Sequence, residues 1–133
     1  MRNGKPWQVG RLIAGFTLVE LLVVMAILAL LMSLALPRYF GSVDRAREQA
    51  LKQELNVVRR SLDEYYADHG QYPDNLQALV NEHYISKLPW DPITESNDGW
   101  LIIAPELPLT GGVYNLHSSS TLQAADGTTY AEW

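Results

Sequence analysis

Apolar residues follow two different patterns along this chain. From Phe16 to Leu36 the run is apolar except for Thr17, Glu20 and Ser33. At about 1.5 Å rise per residue it makes roughly 31 Å of helix, the thickness of a hydrocarbon core. After Pro37 the pattern changes. Leu51, Leu55, Val58, Leu62 and Tyr65 recur at steps of four, three, four and three, which is one stripe of an amphipathic helix. Glu48 and Lys52 have the i,i+4 spacing of a favourable ion pair, and Gly70 suits the left-handed residue after a helix end. One helix is therefore predicted from Phe16 to about Asp68, bent at Pro37, where a main-chain hydrogen bond is lost.

Past residue 70 the signals shorten. Gln71-Tyr72-Pro73-Asp74-Asn75 is turn material, and Asp74 or Asn75 can cap a short helix from Leu76 to Val80. Pro89 and Pro92 bracket Trp90-Asp91 and specify a stiff, extended connection. Trp100 to Ala104 and Val113 to His117 read as strands, and Thr128 to Tyr130 as a third after the Asp126-Gly127 turn. The predicted fold is α+β: a long amino-terminal helix with a small antiparallel sheet laid on its second half. Trp90, Trp100, Tyr114 and Trp133 could line a sugar-binding patch, but in so small a domain they are expected to form its core instead.

Composition sharpens this. With 133 residues there is room for one ordinary domain, and the apolar run removes much of its hydrophobic material. Charge is divided: +3 over residues 1–15, −1 at Glu20, +3 over residues 38–60 and −10 over residues 61–133, for a net −5. So acidic a distal half argues against nucleic acid as a partner. The basic stretch from Arg38 to Arg60 could touch anionic lipid head groups or acids on neighbouring subunits, or be a solvated face. There is no cysteine, hence no disulfide and no thiolate metal site. His69, His83 and His117 are scattered, no Gly-x-Ser-x-Gly elbow is present, and no catalytic constellation emerges.

The apolar run has three readings: a plain anchor, a signal peptide cut after Ala35, or a span preceded by a short leader that is cut on the cytoplasmic side. Glu20 separates them. A carboxylate within a span costs about 2.5–3.5 kcal/mol on insertion scales, and neither an anchor nor a signal peptide gains from it. Its bland reading is a charge near the span's end that snorkels to the interface.

Gly15-Phe16-Thr17-Leu18-Val19-Glu20 followed by an apolar run resembles the processing signature of type IV pilin-like precursors. The resemblance implies cleavage after Gly15 by a prepilin peptidase and N-methylation of Phe16. It also implies an assembly role for Glu20, paired with the Phe16 amine of a neighbour, and for Pro37 in the stalk. One departure is Ala14, where many such leaders carry a basic residue. Asp68-His69-Gly70-Gln71-Tyr72-Pro73 and Leu88-Pro89-Trp90-Asp91-Pro92 resemble the major, G-type pseudopilin of type II secretion systems. That family has an aspartate-rich, calcium-binding loop near its carboxy terminus. Here Ala125-Asp126-Gly127 resembles the start of that loop, but Thr128, Thr129 and Tyr130 stand where further aspartates are expected. No cofactor is required by this reading, and calcium at Asp126 is an open alternative to a plain turn.

The organisation so implied is a cleaved leader (1–15), a transmembrane and assembly half of the stalk (16–37), an amphipathic half (38–69) and a small head (70–133). The leader would be cytoplasmic and the head periplasmic, with the span in the bacterial inner membrane and the filament in the periplasm. Implied partners are copies of itself, the prepilin peptidase, other pseudopilins, the inner-membrane assembly platform and the lipid bilayer. Two rival functions remain at this point: a type IV pilin for adhesion, motility or DNA uptake, and a secreted binding domain with a conventional signal peptide.

Overall fold

Helix formation dominates the chain. The computed structural model describes residues 3–5, 10 and 14–133; the leader cations Arg2 and Arg11 lie outside them. Helix α1 runs from Leu18 to His69 and contains Pro37. It starts two residues later than expected because Thr17 caps it: the Glu20 main-chain N–H donates to Thr17 Oγ1 at 3.1 Å. At the other end the Gly70 N–H donates to the Tyr66 carbonyl at 2.8 Å, with Gly70 at φ 71°.

The described residues fall into two compact units, up to Tyr39 and from Phe40 onward. In the first, the apolar side chains of α1 are exposed along the whole run. An 18-residue window there has a mean hydropathy of 2.7.

The second unit is built on the predicted stripe. Leu51, Leu55, Val58, Leu62 and Tyr65 are buried together with Tyr72, Leu79, Trp100, Val113, Leu116 and Tyr130. Helix α2, Leu76–Asn81, is capped by Asn75, whose side chain accepts from the Ala78 N–H at 2.9 Å. The sheet is antiparallel and two-stranded: β1, Trp100–Ile103, pairs with β2, Asn115–Ser118, placing Trp100 opposite Ser118 and Ile103 opposite Asn115. The predicted third strand is not formed. Its residues contribute one isolated bridge, Gln123 with Thr129, and then a 3-10 turn over Tyr130–Glu132. Two of the expected core aromatics are also displaced: Trp90 is 49% exposed and Tyr114 45%, whereas Trp100 is buried and donates its indole N–H to the Pro89 carbonyl at 3.1 Å.

Candidate functional site

Thr17 opens α1, so Glu20 stands in the first helical turn. A carboxylate there lies near the positive end of the helix dipole. Among the described residues the Glu20 carboxylate has no hydrogen-bond or ion-pair partner within the chain. Gly15 and Phe16 precede the helix in irregular structure, and Phe16 is 86% exposed. A Cβ added at Gly15 would meet nothing within 4 Å, and its backbone is not left-handed. Nothing in the folding of the described chain therefore calls for glycine at this position. Pro37 lies inside α1, where it withholds the N–H that would otherwise reach Ser33. The structure thus gathers Gly15, Phe16 and Glu20 at the start of one helix.

Asp126 belongs to the other unit. Its Oδ1 accepts from the Thr128 N–H at 2.9 Å and the Thr128 hydroxyl at 2.6 Å. These bonds, the hydroxyl's first, hold its carboxyl below the usual range, and Lys52 adds to the effect. Thr128 Oγ1 in turn accepts from the Trp133 indole at 2.7 Å. Asp126 is thus the hub of a turn with Gly127 at φ 87°. Among the described residues no group of three His, Asp or Glu side chains is placed to hold a metal ion.

Three α1 residues grip this carboxy-terminal segment, and the sequence did not point to their partners. Glu48 does not pair with Lys52. Its Oε1 accepts from the Ala125 N–H at 2.8 Å and the Tyr130 hydroxyl at 2.9 Å, while Lys52 Nζ lies 4.6 Å from the centre of the Trp133 ring. Arg59 is half-buried and makes three bonds: Nε to Asn115 Oδ1 at 2.9 Å, and Nη2 to the main-chain oxygens of Leu116 at 3.2 Å and Trp133 at 2.9 Å. Burial lowers its pKa. Partners this far along the chain leave no local signal.

Two family models match the chain. One, described as the prokaryotic N-terminal methylation motif, covers residues 11–36, and the other, type II secretion system protein G, covers residues 38–101. Type II secretion system core protein G of Klebsiella michiganensis is 34% identical over 107 residues, which is 78% of this chain and 72% of that protein. Its namesake in Aeromonas hydrophila is 35% identical over 95 residues, 59% of this chain and 66% of the relative. That of Pseudomonas aeruginosa is 33% identical over 95 residues, with 59% and 67% covered. No solved structure gives a significant match.

Proposed function

The chain belongs to the type II secretion system protein G family, and from that premise we propose how this pseudopilin subunit is matured and assembled. It is a structural subunit, anchored in the inner membrane by the apolar half of α1. The leader is cytoplasmic and the head periplasmic. Prepilin peptidase cuts after Gly15, and Phe16 is N-methylated. A match to the N-terminal methylation motif and a glycine that the described fold does not need support this reading. An external enzyme's preference supplies the requirement that the fold lacks.

Cleavage creates an amine at Phe16 next to the bilayer, four residues from a carboxylate that has no partner among the described residues. Leaving either charge alone in a low-dielectric medium is costly, and pairing them between copies removes both penalties. Glu20 therefore sets the axial stagger of subunits as they leave the membrane, and the growing filament drives folded cargo outward, with the other pseudopilins and the assembly platform as partners. The Glu20 carboxylate, unpartnered among the described residues, is the observation on which this rests. Glu20→Ala should leave cleavage intact while abolishing filaments and export. Normal filaments from that variant would refute the pairing. Sequencing the mature amino terminus tests maturation directly: N-methylated Phe16 is expected, and Leu36 or a retained leader would overturn it.

A further inference from the structure

We propose that the segment from Gln123 to Trp133 is fastened to α1 by Glu48, Lys52 and Arg59 rather than by a bound divalent cation, so that folding of this head is independent of calcium. The donor set does not fit the ion. Calcium takes six to eight oxygens at about 2.3–2.6 Å, several of them from carboxylates. Here the carboxylates near the segment already serve protein donors. Asp126 accepts from Thr128, Glu132 Oε2 accepts from the Thr129 N–H at 3.1 Å, and Glu48 accepts from Ala125 and Tyr130.

Charge points the same way. The cleft between α1 and the segment measures about 370 Å³ and is lined by Lys52, Arg59, Asp126, Thr128, Glu132 and Trp133. An ammonium and a guanidinium already balance its two acids. A divalent ion entering there would face both cations at short range, where repulsion is strong. The mechanical task of a loop-binding ion is also done by other means. Arg59 ties β2 and Trp133 to the helix, and Glu48 ties Ala125 and Tyr130 about three turns earlier on the same face.

The test is thermal unfolding of the full chain in detergent micelles, with excess chelator or with millimolar calcium at matched ionic strength. The proposal expects one unchanged Tm. A calcium site filled to a hundred times its Kd would raise Tm by about 10 °C or more. A rise of that size, lost in Asp126→Asn, would overturn it. Arg59→Lys keeps the charge but loses the fork. It should lower Tm and speed proteolytic clipping of the carboxy-terminal segment equally in chelator and in calcium. Restoration of the variant by calcium alone would also overturn the proposal.

Discussion

Asp91 is completely buried, and each of its oxygens is used. Oδ1 accepts from the Ile93 N–H at 2.8 Å and the Thr94 N–H at 3.3 Å, and Oδ2 accepts from the Ser118 hydroxyl at 2.5 Å. One side chain thus closes the turn after Pro89 and ties it to β2. Truncation would strand these donors away from water, so Asp91→Ala should cost about 3 kcal/mol in urea unfolding. A loss below about 1 kcal/mol would mean water reaches the site. Two phenols carry a second prediction at this scale. Tyr84 is pushed up to about 12, first by its hydrogen bond to Asp68, and Tyr130 to about 12, first by burial and then by Glu48. The protonated phenol is the favoured form in the fold. Its contribution to stability is complete below the ordinary value of 10.0 and disappears as pH rises through about 12. Phenolate absorbance should show a late component near pH 12 that diminishes in Tyr130→Phe, while an ordinary titration in the native protein would refute these environments.

Among the elements, the connection into β2 depends most on one residue type. Gly111 and Gly112 lie against the irregular Tyr72–Asp74 segment, where the Gly112 and Val113 N–H groups both donate to the Pro73 carbonyl, at 3.0 and 2.9 Å. A Cβ at Gly112 would overlap the main-chain oxygen of Asp74, and Gly111 is also left-handed at φ 126°. Gly112→Ala should destabilise the head by about 3 kcal/mol, visible as a lower urea midpoint; an unchanged midpoint would show that the approach relaxes freely. On α1, Leu62→Ala should cost about 3 kcal/mol by opening a cavity in the core, measured the same way. Leu62 also shows why α1 was legible from sequence. Its burial follows from a period of 3.6, and that period is a local property. The Thr17-x-x-Glu20 spacing carried the start of the helix just as locally, as the first half of a capping box, though Glu20 drew notice only as a charge. The carboxy-terminal segment was not legible in that way. Thr128-Thr129-Tyr130 has strand propensity, but Thr129 and Glu132 form a reciprocal cap that turns the chain into a 3-10 turn. Glu48 and Lys52 had helical spacing to each other and no trace of Ala125, Tyr130 or Trp133. Aromatic size also misled for Trp90 and Tyr114, expected in the core but exposed, because burial depends on which side of the finished head they face. The Gly15-Phe16 and Glu20 pattern stood out for a different reason: the described fold calls for neither that glycine nor that carboxylate.

For the molecule as a whole, the two units divide the work of folding from the work of anchoring. Every member of the hydrophobic core lies between Leu51 and Tyr130, and every apolar side chain from Leu18 to Leu36 named above stays exposed. The first half of α1 therefore contributes no core side chain, and its apolar surface awaits lipid or other helices. The second unit also has the charge to stay dispersed: residues 40–133 carry seven-residue-spaced cations on α1 but sum to −8 overall. A fragment beginning at Phe40 should accordingly be soluble, sediment as a monomer and unfold in one cooperative urea transition, whereas the full chain should require detergent. It should also fail to form filaments on its own, because it lacks both the Phe16 amine and Glu20. The opposite pattern would overturn this division of work. If the fragment aggregates or unfolds without cooperativity, the head depends on its neighbours for stability, and assembly would then complete the fold as well as align the subunits.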